Sequence, residues 1–253
     1  MLDLHVHLLG HMDRQATKEN IRSFLDEAQR KDIRQIGFAD HDMYWGDLDF
    51  GLLREVAGEY PELQVRVGLE VNYEEDREEK IARMIDSYPF DYVIGSVHQI
   101  GGWFFDFPEE EETHLRRDSD SLYQEYFSLV EKAASSGLFN IIGHFDLIKI
   151  FKIRPQTDVR ILARQALQAI KDHGLALEIN TNGRYKPVQE FYPEIKLMEV
   201  IQKMEIPFTL GSDAHESGVV GRDLREACQL LKNIGVNDIV GFTQRRKEFL
   251  SLE

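Results

Sequence analysis

The chain has 253 residues, 42% of them hydrophobic and 30% charged, which suffices to bury a large core without disulfide support. Its net charge of −15 argues against sequence-independent binding to nucleic acid, which depends on Lys and Arg neutralising phosphates. A small anionic substrate is not excluded, because bound cations can reverse the potential inside a cleft. The single cysteine excludes an internal disulfide, and no apolar run approaches the roughly 18 residues of a membrane span. With neither a signal peptide nor a linker in view, residues 1–253 are expected to form one soluble cytoplasmic domain without a membrane partner.

Short apolar runs alternate with amphipathic ones from end to end. Asp3-Leu4-His5-Val6-His7 opens the chain, and alternation on a strand puts His5 and His7 on one face, where two imidazoles can share a cation. A polar loop carries Gly10, His11 and Asp13, and Thr17 then caps a helix with Ile21, Phe24, Leu25 and Ala28 at helical spacing. Ile33 to Ala39 reads as a buried strand ending at Asp40-His41-Asp42, followed by a short helix around Leu52, Leu53 and Val56. Val65, Val67 and Leu69 alternate into Glu70, and a charged helix follows on Ile81, Met84 and Ile85.

Asp91 to Val97 predicts a fourth strand, ending at His98. The loop beyond it holds Gly101-Gly102-Trp103-Phe104-Phe105-Asp106 and an acidic run, Glu109 to Glu112, expected to be solvated loop. Phe104 is expected in the core. Helix Leu122 to Ala134 leads into strand Phe139 to Gly143 and His144. Thr157 or Asp158 caps a helix that stops near Gly174, and strand Leu175 to Ile179 delivers Asn180-Thr181-Asn182-Gly183-Arg184. Asn180 and Asn182 are expected to shape a turn with Gly183 rather than to act as ligands. After helix Ile195 to Met204, strand Pro207 to Leu210 ends in Gly211-Ser212-Asp213-Ala214-His215. A last helix covers Leu224 to Asn233 and includes Cys228 as a small core hydrophobe, and the tail from Gly241 is polar and charged.

Seven strand-like runs separated by helical ones predict an α/β fold with a parallel sheet. Polar residues gather at the C-terminal end of every strand, as in a closed βα barrel, whereas an open doubly wound sheet would concentrate them at one switch point. Collected, those ends carry His5, His7, His41, Glu70, His98, His144, Asp213 and His215, with His11 in the first loop. Seven of the nine histidines fall in this set, which indicates a metal site. One zinc with an open position takes three protein ligands, so nine candidates suit two or three ions with Glu70 as a bridge. The donor set accepts zinc, manganese or iron.

These words, together with Gly68-Leu69-Glu70, Gly95-Ser96-Val97-His98 and Gly143-His144, resemble the polymerase-and-histidinol-phosphatase (PHP) superfamily over essentially the whole chain. The resemblance implies a distorted seven-stranded (β/α)7 TIM-like barrel with a trinuclear, metal-dependent phosphoesterase site. Within it, Ser96-Val97-His98 with Gly102-Trp103 and Phe105-Asp106 is similar to the substrate loop of the histidinol-phosphate phosphatases, and Glu178 to Pro187 with Glu190 and Tyr192-Pro193 to a second signature of that group. By this likeness His5, His7, Glu70 and Asp213 hold one ion, Glu70, His98 and His144 a second, and His11, His41 and His215 a third. The first loop here, Leu8-Leu9-Gly10-His11, is shorter than the family's.

The implied reaction is hydrolysis of a small phosphomonoester, L-histidinol phosphate in histidine biosynthesis, by metal-activated hydroxide. Asp213 and His215 stand nearest to assist the leaving group, or serve as ligands only. Arg184, Lys186 and Arg222 are candidates to grip phosphate, with Arg116 and Arg117 weaker ones, while Trp103 and Asp106 suit a cationic organic half. Alternatives are another substrate (a nucleotide, an oligonucleotide end or a phosphotyrosine protein), a non-catalytic module stapled by metal, and, more distantly, amidohydrolase chemistry.

Overall fold

The computed structural model describes residues 1–252. Seven parallel strands form its sheet: β1 (Leu2–Val6), β2 (Gln35–Phe38), β3 (Gln64–Asn72), β4 (Tyr92–Ser96), β7 (Ile141–Ile142), β8 (Ala176–Asn180) and β9 (Phe208–Gly211), hydrogen-bonded in that order. The edges meet where His7 N donates to Ala214 O at 2.9 Å and Ala214 N to His5 O at 3.3 Å. The result is a nearly closed α/β barrel of seven strands, as the sequence implies. Apart from the exposed start of β3, these strands are buried on both faces, which explains their continuous apolar runs.

Helices α1 (Lys18–Arg30), α2 (Phe50–Ala57), α3 (Glu78–Asp86), α4 (Glu111–Arg116), α5 (Ser119–Ser135), α6 (Val159–Leu162), α7 (Arg164–Asp172), α8 (Ile195–Lys203) and α9 (Leu224–Asn233) occupy the connections. Thr17 caps α1 by accepting from Asn20 N, and Asp158 caps α6, while the expected single helix after it divides into α6 and α7. Among the described residues no helix is long and apolar enough to cross a membrane. Inside the barrel Tyr92 lies across Gly37 and Gly68, whose missing side chains make room for it, and donates to Leu4 O at 2.6 Å.

Three local expectations are corrected. The tail is not simply polar: β10 (Asp238–Thr243) and β11 (Arg246–Ser251) form an antiparallel hairpin. Its Ile239, Val240 and Phe242 are buried, and Gly241 lies against Gln35 at the N-terminal end of β2, so the hairpin covers the end of the barrel away from the strand-end histidines. The acidic run is not loop either, because Pro108 starts a helical turn at 108–110 that continues into α4. Phe104 is half-buried and stacks on exposed Phe107 with centroids 5.5 Å apart. The ribbon β5 (Gln99–Ile100) and β6 (Trp103–Phe104) turns it outward and sends the neighbouring Phe105 into the core. Cys228 is partly buried against the core.

Candidate metal centre

The C-terminal strand ends bring their polar residues to one mouth. His5 and His7 project together from β1, with ring centroids 5.0 Å apart. At two other ends the backbone turns into the left-handed region, at His144 (φ +21°) and Asp213 (φ +53°). Such conformations cost of order 1–3 kcal/mol outside glycine and mark places where side-chain aim is constrained.

Glu70 is the hub. Its Oε2 lies 2.8 Å from His41 Nδ1, 3.4 Å from His5 Nε2 and 3.6 Å from His7 Nε2. Its Oε1 lies 2.9 Å from His144 Nε2 and 3.5 Å from His98 Nε2, and accepts from Ser96 Oγ at 2.7 Å. Asp213 Oδ1 approaches His7 Nε2 at 3.2 Å, His215 Nδ1 at 3.5 Å and His5 Nε2 at 3.9 Å. Three groups of donor atoms fall close enough to share an ion: His5, His7 and Glu70; Glu70, His98 and His144; and His7, His41 and His215. His11 stands on the exposed lip, its ring 4.4 Å from His215 and 5.5 Å from His41, so here His7 completes the third group.

The donor set fits divalent transition metals. His5 Nε2, both ring nitrogens of His7, His144 Nδ1, His215 Nε2 and Glu70 Oε2 are buried without a hydrogen-bond partner. Unpaired buried polar atoms are costly, and a concentration of them around one carboxylate is what shared cations would satisfy. Without cations the cluster balances its own charge. Burial alone would raise Glu70, but His5, His41 and His98 outweigh it and hold the carboxyl well below the usual range. Burial would lower His5, yet Glu178, Glu70 and Asp213 lift it well above an ordinary imidazole. Burial wins at His7, with His215 and His41 adding to it, and at His98, which falls to about 3.

Residues not singled out for this role in the sequence hold the donors in place. Glu178 Oε1 lies 2.6 Å from His5 Nδ1, and Oε2 accepts from His144 N at 2.8 Å. Gly211 admits that carboxylate: a Cβ there would overlap Glu178 Oε1 and stand 2.6 Å from His5 Cβ. A charge inside the apolar run Leu175-Ala176-Leu177-Glu178-Ile179 was the available signal, since a buried carboxylate needs a partner. Asp3 accepts from Ser212 N and Oγ and from Gly221 N, which ties β1 to the loop after β9. Asp40 accepts from Leu8 N and Leu9 N and shapes the loop that carries His11. Asn180 and Asn182 do more than form a turn, because each places Nδ2 3.3 Å from Asp213 Oδ2. With that oxygen engaged by amides and the other facing imidazoles, Asp213 has the setting of a permanent carboxylate.

The proposed substrate residues separate. Arg222 Nη2 donates to Asn182 Oδ1 at 3.0 Å, with its guanidinium 3.3 Å above the Tyr185 ring. Lys186 is exposed, within electrostatic reach of His11 and Asp106. Asp106 Oδ1 is buried and unpartnered; burial pushes its carboxyl up to about 6, against the pull of His144 and Lys186. Trp103 donates Nε1 to Glu110 at 2.7 Å beneath the Arg117 guanidinium, and so braces this loop. Arg184 points elsewhere: it pairs with Glu226 and Asp223 beside a surface cavity of about 820 Å³ that none of the nine donors lines. Arg116 pairs with Glu112, and Arg117 with Glu125.

The sequence profile of the PHP domain matches residues 3–182. A probable histidinol-phosphatase of Deinococcus radiodurans is 36% identical over 247 residues, covering 92% of each chain. The histidinol-phosphatase of Lactococcus lactis is 27% identical over 262 residues, covering 96% of this chain and 94% of its own. Among solved structures, the L. lactis histidinol phosphate phosphatase complexed with zinc, L-histidinol and phosphate superposes with a TM-score of 0.78 at 24% identity, over 98% of both chains. That likeness establishes the fold.

Proposed function

This chain belongs to the PHP domain family, and from that premise we propose that it is a metal-dependent histidinol-phosphate phosphatase, converting L-histidinol phosphate to L-histidinol and phosphate in histidine biosynthesis. The observation that carries this reading is the Glu70 carboxylate, approached by His5, His7 and His41 on one oxygen and by His98 and His144 on the other. A carboxylate shared in this way suits adjacent cations, the arrangement used for in-line displacement at phosphorus.

On the family pattern, His5, His7, Glu70 and Asp213 would hold one ion, Glu70, His98 and His144 a second, and His11, His41 and His215 a third. Zinc, manganese and iron all suit this donor set. When bound, such ions supply Lewis acidity at the phosphoryl oxygens and lower the pKa of water. The chain's own residues then bind and orient. Lys186, exposed and within electrostatic reach of His11 and Asp106, is the candidate ammonium for the phosphoryl group, and Arg222 steadies Asp213 through Asn182. Asp106 offers an unpartnered carboxylate to a cationic imidazole or amine, on a loop that Trp103 holds. His215 and Asp213 border the reacting centre as ligands, with Asp213 fixed by its amide partners. A single cysteine is compatible with a reducing cytoplasm, the setting we propose.

The test is phosphate release from a panel of small phosphomonoesters, by protein stripped of metal and by the same protein after addition of zinc, manganese or iron. Histidinol phosphate should be preferred in kcat/KM, and only with metal restored. Turnover no faster than that of a generic alkyl phosphate would overturn the substrate assignment.

A further inference from the structure

Five tyrosines rank among the largest fully buried side chains, namely Tyr73, Tyr92, Tyr123, Tyr126 and Tyr192. Four of them use their hydroxyls, with Tyr73 donating to Glu78, Tyr92 to Leu4 O, Tyr123 to Ile153 O and Tyr126 to His144 O. Tyr192 alone leaves its hydroxyl buried without a partner. A buried, unmade hydrogen bond costs about 1–3 kcal/mol, so its retention asks for a reason.

The ring is held firmly. Its main chain pairs both ways with Asn180 at the end of β8, with N···O distances of 2.7 and 3.0 Å. The Lys149 ammonium lies 5.3 Å from its centroid, itself fixed by Asp146 at 3.0 Å and Phe191 O at 2.7 Å. Gly183 allows close approach, since a Cβ there would stand 2.7 Å from the Tyr192 ring. The ring also stands nearly perpendicular to the His144 imidazole, with centroids 6.5 Å apart. The side chain is within electrostatic reach of Asp146, Asp213 and Asp106 and of the Tyr126 phenol. A phenol O–H can donate to an oxygen that builds up negative charge. Asp213 is already satisfied by the Asn180 and Asn182 amides, which leaves Tyr192 as an uncommitted O–H beside the centre.

We propose that Tyr192 is a catalytic residue, whose hydroxyl donates a hydrogen bond to the ester oxygen of the substrate as the P–O bond breaks. A water oxygen bonds to phosphorus and gives its proton to solvent as the ester P–O bond breaks; the ester oxygen departs with the bonding electron pair and takes a proton from solvent, while Tyr192 keeps its own. The proposal rests on the phosphatase reading and deepens it by naming what meets the leaving group.

The test compares Tyr192→Phe with the wild-type holoenzyme on three esters: histidinol phosphate, glycerol 2-phosphate and 4-nitrophenyl phosphate. Alkoxides are poor leaving groups and need the donor, so kcat on both alkyl esters should fall about tenfold to a hundredfold, the worth of one such bond. The aryl ester should lose less than threefold. Metal content and calorimetric binding of inorganic phosphate should stay at wild-type values and the thermal midpoint should hold or rise, since the unpartnered hydroxyl is gone, while L-histidinol binds more weakly. Equal losses on alkyl and aryl esters, no loss at all, or a loss accompanied by metal depletion would each overturn the proposal. The substrate assignment fails separately, if wild type shows no preference for histidinol phosphate over glycerol 2-phosphate.

Discussion

Glu178 and His5 stand 2.6 Å apart, Oε1 to Nδ1, inside a barrel where both side chains are essentially inaccessible to solvent. The contact fixes the tautomer of His5 and turns its Nε2 towards Glu70 and Asp213. Because the other Glu178 oxygen accepts from His144 N, one carboxylate sets the aim of donors that approach different oxygens of Glu70.

Glu178→Gln should therefore weaken metal binding without removing a donor. Loss of such a supporting contact typically costs 10–100-fold in metal affinity or activity. Competition against a chromophoric chelator measures it directly. Affinity equal to wild type would show that the carboxylate only fills space.

Metal binding should release protons. In the metal-free protein burial would lower His5, His41 and His144, but neighbouring carboxylates (Glu178 first for His5, Glu70 for the other two) raise them above an ordinary imidazole. A group raised in this way stays protonated to higher pH, and a cation must displace that proton to bind. Affinity should then fall as pH drops from 8 to 6, and calorimetry in buffers of differing ionisation enthalpy should report the released protons. Binding heats that do not depend on the buffer would contradict this.

Asp106 predicts the pH dependence of substrate binding. Burial pushes its carboxyl up to about 6, so the charge that would meet a cationic substrate is present only above that point. KM for histidinol phosphate should rise as pH falls through about 6, and Asp106→Asn should flatten that limb and raise KM at neutral pH. The sign for stability is opposite. The folded state holds this proton more tightly than the unfolded chain, so ionising Asp106 costs stability as pH climbs from the ordinary carboxylate range to about 6. Asp106→Asn should remove that cost, which thermal midpoints at pH 4.5 and 7.5 would reveal.

The strand-end donors are legible in the sequence because a barrel converts a repeated local event, a polar residue terminating an apolar run, into one spatial cluster. His41, His98, His144 and Asp213 follow that rule, and His5 and Glu70 sit one and two residues short of the ends of β1 and β3. What supports them is harder to read. Glu178 and Asp3 lie within strands, where nothing local says whether a charge meets a backbone amide, an imidazole or water. Arg184 and Arg222 look alike as basic residues after strands, yet one turns to Glu226 and the other to Asn182, a choice made by side-chain partners from distant segments. The terminal hairpin escaped because β11 is half exposed and charged, so its alternation is diluted.

That hairpin supplies the last prediction. Phe242 is 1% exposed, with its ring centroid 6.2 Å from that of Tyr92, which itself fills the space left by Gly37 and Gly68. Phe242→Ala should leave a cavity at the closed end of the barrel and cost about 3–5 kcal/mol, lowering the thermal midpoint by roughly 10 °C for a chain of this size. The metal donors sit at the other end of the strands, so ion stoichiometry at 20 °C and kcat below the unfolding transition should match wild type. Loss of metal in step with stability would mean that the two ends of the barrel are coupled through Tyr92 and β1, where the tyrosine hydroxyl grips Leu4 O one residue before His5.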